Sequence, residues 1–310
     1  MRKSGKASAK NQRQYLFRIA TCFFATWTGK PNERRIGKQE FTDPKQGKPS
    51  INIEPLTTPK TTAARIGAGR DLVVIHSLLT DRHAFDPVLA DLAARFRVTL
   101  LNLPGFHGSK PVAASIEAYR EWVHEAFDAF GIGRDAILMG NGFGGTVALA
   151  FALAQGDRLA KLVLCDVAPG FPEEGKQAFR VMAAKVAEGG MGTIAEIAAN
   201  RVFHAAYLAA HPEAVNERKA VLLKIDPVTF RAACASLVEA DLTPMLGKLK
   251  VPALVVYGEL DQATPPGLNK LIASRAPGAR VIELYGCGHC PPLEQPQEFL
   301  AAIREFLNSR

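Results

Sequence analysis

The sequence predicts an α/β fold in which a mostly parallel sheet is covered by helices on both faces. Three observations predict it. Short, almost wholly apolar runs rich in β-branched residues recur along the chain, they alternate with segments of helical spacing, and glycine or proline closes many of the runs.

Taken in order, "DLVVIHS" (71–77) reads as a buried strand and "FDPVLADLAARF" (85–96) as a helix. "RVTLLNLPG" (97–105) is a strand stopped by Pro-Gly, and "IEAYREWVHEAFDAF" (116–130) is an amphipathic helix closed by Gly131. "AILMGN" (136–141) is a strand that runs into a glycine-rich turn, and the helix from Gly144 ends at Gly156. "KLVLCDVA" (161–168), "ALVVYGE" (253–259) and "RVIELYG" (280–286) complete the strands, with helices at 268–276 and 296–307. Residues 169–252 break the rhythm. They carry helical patterns and no strand signal, and read as a helical cap inserted between two strands of a core formed by 51–168 and 253–310. Such an insertion covers the carboxyl edge of the sheet, where ligand sites of α/β folds form.

The 310 residues are 47% hydrophobic and 22% charged, a composition with length enough for a large core. The formal net charge of +8 is not a property of the body. Residues 1–65 hold 14 Lys or Arg against 4 Asp or Glu, and the rest of the chain holds 24 against 26. A nucleic-acid partner therefore has no electrostatic support outside the N-terminal segment. Residues 1–50 read as a basic, disordered extension. Their most apolar piece, "YLFRIATCFFATW" (15–27), is too short to span a bilayer and contains Arg18, so no stable membrane insertion is expected. The five cysteines (Cys22, Cys165, Cys234, Cys287 and Cys290) are not a secreted disulfide framework, and a cytoplasmic location is expected.

The chemistry candidates fall on loops that follow strands. Gly140-Asn141-Gly142-Phe143-Gly144 has the strand–turn–helix setting of a G-x-S-x-G nucleophile turn, with glycine in the place of serine. Asp261 follows one strand and His289 the next, the chain order in which an acid and a base follow a nucleophile of this kind. Asp166 is a spare position for the acid, and Cys287 and Cys290 flank His289 in a C-x-x-C spacing. That spacing lacks the helix start of a redox pair and the further ligands of a zinc site, so no metal is expected.

On these motifs the chain resembles the α/β-hydrolase superfamily, over roughly residues 60–310. "VVIHSLLTD" looks like the superfamily's oxyanion strand and loop, with Ser77 where glycine is usual. "LNLPGFHGS" looks like its Asp-x-x-Gly-x-Gly-x-Ser stretch, with Asn102 for the aspartate and His107 inserted. "AANRVFH", "DPVTFRAACASLVEADL", "VPALVVYGELDQATPP" and "GCGHCPPLEQPQEFL" are similar to 3-oxoadipate enol-lactonase-like proteins.

The resemblance implies an α/β-hydrolase fold with a helical cap. It also implies Asp261 as the orienting acid, His289 as the base, and the backbone N–H groups of Leu78 and Phe143 as the oxyanion hole. Ser77 and Arg201 are candidate substrate-binding residues, Arg201 because a guanidinium suits a carboxylate. The nucleophile position is vacant at Gly142.

The leading reading is a hydrolase of a small ester or enol-lactone-like substrate. In it, the space left by the missing serine admits a water that His289 and Asp261 activate, without cofactor. The oxyanion loop does not normally present a nucleophile, so Ser77 is a secondary candidate for that role. The alternatives are a His–Asp proton-transfer enzyme (lyase, isomerase or cofactor-free oxygenase) and an inactive ligand-binding or interaction protein. The sequence leaves the oligomeric state open.

Overall fold

The structure is a computed structural model that describes residues 53–309. The basic extension expected at 1–50 lies outside the described residues. Eight strands form one sheet in the order β1-β2-β4-β3-β5-β6-β7-β8. They are β1 (Glu54–Thr57), β2 (Thr62–Ile66), β3 (Arg70–Ile75), β4 (Phe96–Leu101), β5 (Ala136–Asn141), β6 (Leu159–Cys165), β7 (Ala253–Gly258) and β8 (Arg280–Leu284). From β4 to β8 every pairing is parallel, while β1 and β2 pair antiparallel at one edge. The six parallel strands are those expected from the apolar runs. β1 and β2 were not expected, because "EPLT" and "TAARI" are short and carry little apolar bulk.

The central strands owe their place to burial on both faces. All residues of β5 and β7 are buried, as are Asp71–Ile75 of β3. Side chains of this kind have no solvent face to offer, so helices must cover both sides. α1 (Asp86–Ala93), α2 (Ile116–Ala129), α3 (Phe143–Gln155), α9 (Pro266–Arg275), α10 (Pro291–Glu294) and α11 (Pro296–Asn308) flank the sheet. α2 starts where the Ser115 side chain accepts from the Ala118 N–H. It buries Tyr119, Trp122, Val123, Ala126 and Phe127, the face set by i, i+3, i+4 spacing.

Between β6 and β7 lie five further helices, α4 (Glu173–Gly189), α5 (Ala195–Val202), α6 (Ala205–Ala210), α7 (Glu213–Leu222) and α8 (Pro227–Glu239), and no strand. Among the described residues no helix is long and apolar enough to cross a membrane.

Candidate active site

The site forms where β3, β5, β6, β7 and β8 end, the edge at which parallel α/β sheets bind ligands. The turn after β5 places Gly142 at φ +54° and ψ −122°, a conformation that costs a non-glycine residue about 1–3 kcal/mol. α3 begins immediately after it, and its start packs tightly on β3. A Cβ on Gly144 would overlap His76 O and come within 2.5 Å of Ile75 O.

Asp261 and His289 come together as the resemblance implies. His289 Nδ1 lies 3.0 Å from Asp261 Oδ2, and both residues are 3% exposed. The loop after β7 also supplies Asp261 with donors, since the N–H groups of Ala263 and Thr264 and the Thr264 hydroxyl all donate to its carboxylate. Burial opposes ionisation of Asp261. The charge and hydrogen bond of His289 and the Thr264 donors outweigh it and hold the carboxyl below its ordinary range. An ionised Asp261 only accepts, so His289 Nδ1 carries the proton and Nε2 is left as an acceptor.

Asp166 takes the opposite state. Burial and the neighbouring Asp261 charge push it well above the usual carboxylate range, while one of its oxygens accepts from the Gly258 N–H. Asp261 is therefore the ionised acid of the pair and Asp166 the protonated one.

A side-chain oxygen lies beside His289 Nε2, where the sequence-based expectation places a water. Ser77 Oγ stands there, 3.3 Å from Nε2 and buried. A Cβ built on Gly142 would overlap Ser77 Oγ and lie 2.8 Å from His289 Nε2 and 2.9 Å from Ser77 Cβ. The hydroxyl thus occupies the volume that a side chain at position 142 would take. Ser77 Oγ, His289 and Asp261 form one continuous hydrogen-bond chain. Among the described residues, neither the Leu78 N–H nor the Phe143 N–H donates to a protein acceptor. This leaves both free to hold an oxyanion.

Three further residues at the site, His76, Asn141 and Glu294, are given no role by the sequence. His76 is fully buried, and burial lowers its pKa to about 4. Its Nε2 accepts from the Leu103 N–H, so the neutral ring carries its proton on Nδ1 and donates to Ser77 O at 2.9 Å. This clamps the Ser77 backbone. Asn141 Nδ2 donates to the carbonyls of Cys165 and His289 and ties the turn to the histidine loop.

Glu294 brackets the same loop by accepting from the N–H groups on either side of His289, those of Gly288 and Cys290. Burial raises its pKa to about 7. A carboxyl whose folded-state pKa is raised stabilises the fold fully below its unfolded value and loses that contribution as pH rises through about 7. Wild-type unfolding free energy therefore falls from pH 5 to pH 8 by up to about 3 kcal/mol more than that of Glu294→Gln, measured by urea denaturation. Equal pH slopes in the two proteins refute the assignment.

Arg201 lies on α5 over the acid loop. One guanidinium N–H donates to Ala263 O at 3.4 Å, and its buried Nε has no partner among the described residues. His107, inserted in the glycine pattern, lies with Asp81 at 3.0 Å. Cys287 and Cys290 are free and buried, and burial pushes both thiols far above their ordinary range, so neither is a ready thiolate.

Comparison with known proteins bears on the family and the fold. Residues 72–302 match the family model described as "Alpha/beta hydrolase family". The chain is 30% identical over 253 residues to a pimeloyl-[acyl-carrier protein] methyl ester esterase of Aeromonas hydrophila, covering 78% of this chain and 97% of that protein. Its structure is similar to the enol-lactonase from Burkholderia xenovorans LB400, with TM-score 0.75 and 27% identity, covering 80% of this chain and 97% of that one. It is also similar to a thermophilic esterase from Thermogutta terrifontis in a malate-bound crystal, with TM-score 0.72 and 29% identity, covering 89% and 98%. The family model spans most of the chain, and the chain belongs to the alpha/beta hydrolase family.

Proposed function

We propose that this protein hydrolyses a small carboxylic ester or enol-lactone at the His289 site. The observation that carries the proposal is the hydrogen-bond chain from an oxygen beside His289 Nε2 to the buried carboxylate of Asp261. His289 Nε2 takes the proton of the attacking oxygen, and Asp261 stabilises the imidazolium that results. The negative charge that develops on the carbonyl oxygen is met by the N–H groups of Leu78 and Phe143. The similarity to proteins named as an esterase and an enol-lactonase supports this substrate class. The substrate is a small molecule, and the reaction as proposed takes neither metal nor cofactor.

The test is steady-state hydrolysis of a panel of activated esters and enol-lactones by the full-length protein. Saturable turnover above the buffer rate is expected for at least one panel member. Binding of panel compounds, seen as thermal stabilisation, with no turnover would replace the hydrolase reading with that of a ligand-binding protein.

Arg201 is proposed as the anchor for a carboxylate on the substrate. Its charge lies partly buried above the acid loop, where a carboxylate would gain more than in water. Arg201→Ala is expected to raise KM about 10-fold or more for carboxylate-bearing esters and to leave neutral esters within about 2-fold. Equal losses on both substrate sets refute the anchor.

A further inference from the structure

We infer that Ser77 is the catalytic nucleophile, supplied by the loop after β3 in place of the turn after β5. The inference rests on the hydrolase reading above and names the oxygen that His289 activates.

Sheet register makes the exchange possible. β3 and β5 are neighbouring parallel strands, and Ile75 is paired with Gly140. Two residues beyond this pair, past the strand ends, stand Ser77 and Gly142. Neighbouring parallel strands lie about 4.8 Å apart, close to the reach of one side chain, so either position can present a hydroxyl to the same histidine. A Cβ at 142 would overlap Ser77 Oγ where it stands, so a side chain there would have to turn the hydroxyl away. Glycine at 142 leaves the Ser77 hydroxyl its place beside His289.

The oxyanion donors are conserved by the same exchange. In the G-x-S-x-G arrangement the hole is built from the amide after the nucleophile and one amide from a loop that follows another strand. With Ser77 as nucleophile, Leu78 N–H becomes the amide that follows it, and Phe143 N–H becomes the donor from the other loop. His76 adds rigidity through its hydrogen bond to Ser77 O.

The reaction balances without a further reagent. Ser77 Oγ–H gives its proton to His289 Nε2, and Oγ bonds to the ester carbonyl carbon. The carbonyl π pair moves onto oxygen. As it returns, the bond to the leaving alkoxide breaks, and the alkoxide takes the proton from His289. Water then enters, gives a proton to His289 and attacks the acyl carbon. Collapse expels Ser77 Oγ, which recovers the proton, and the net change is ester plus water to acid plus alcohol.

The experiment uses the full-length protein with an activated aryl ester and an alkyl fluorophosphonate. Adducts are read by intact mass and peptide mapping, and folding of each variant is read by thermal melting. One phosphonyl adduct on Ser77 is expected in the wild type. Ser77→Ala is expected to lose the adduct and about 10³-fold or more in kcat/KM. Ser77→Cys, which keeps the side-chain shape, is expected to lose fluorophosphonate labelling and to gain iodoacetamide labelling at position 77. If Ser77→Ala fails to fold, the adduct site in the wild type and in Ser77→Cys decides.

An unlabelled wild type whose turnover survives Ser77→Ala within about 10-fold overturns the inference, since water is then the nucleophile, and leaves the hydrolase reading standing. An adduct on another residue, or turnover and labelling that appear only with Gly142→Ser, also overturn it. A wild type that neither turns over the ester nor takes the label overturns both.

Discussion

His289→Ala is expected to lower kcat/KM for ester hydrolysis by about 10³–10⁴-fold. Under the proposed mechanism three roles end at once. The imidazole takes the proton of the attacking oxygen, returns it to the leaving group, and links the Ser77 hydroxyl at 3.3 Å to the Asp261 carboxylate at 3.0 Å. A 10³-fold loss corresponds to about 4 kcal/mol of transition-state stabilisation, within what base catalysis and the orientation of one buried hydrogen-bonded pair supply together.

The fold is expected to tolerate the change. The His289 main chain is held by its own bonds, with its N–H donating to Val202 O and its carbonyl accepting from Asn141. Asp261 keeps its three donors from Ala263 and Thr264. Steady-state kinetics beside a thermal melt checks both points. A folded variant that retains activity within about 10-fold would show that the base lies elsewhere.

Gly144→Ala is expected to cost about 3 kcal/mol of stability by overpacking. The added methyl group has no flexible neighbour to displace. It would overlap His76 O and come within 2.5 Å of Ile75 O, both backbone atoms of the chain leaving β3. Overpacking of cores commonly costs 1–3 kcal/mol, and rigid backbone on the far side puts this site at the upper end. For a domain of this size the melting temperature should fall by roughly 10 °C. Activity should fall further than stability, because the displaced segment carries Ser77 and Leu78. A melting temperature within about 2 °C of the wild type would mean that α3 can move away from β3 at little cost.

Much of this was legible before any coordinates. The parallel strands are legible because burial on both faces demands unbroken apolar runs, and "LVVI", "AILM" and "ALVV" are short, bounded runs of this kind. The turn at 140–144 is legible because its backbone geometry and close helix packing demand glycine locally. Asp261 and His289 are legible because each follows its own strand, so strand order alone delivers them to one edge of the sheet.

β1 and β2 are not legible because they carry little apolar bulk, and their place is set by pairing, β2 on β4 and the edge strand β1 on β2. Glu294 was missed because its partners are backbone amides, which no residue type announces.

The sequence by itself determined the α/β alternation, the helical segment between β6 and β7, the placing of Asp261 and His289 after successive strands, and the absence of serine at position 142. All of these are read from local pattern and chain order. Tertiary structure alone decided what fills the place beside His289. Ser77 and His289 are 212 residues apart, and Ser77 and Gly142 meet only because β5 pairs beside β3 in a register that aligns them. Strand register is a property of the assembled sheet, so two hydroxyl positions that are equivalent in space look unrelated along the chain.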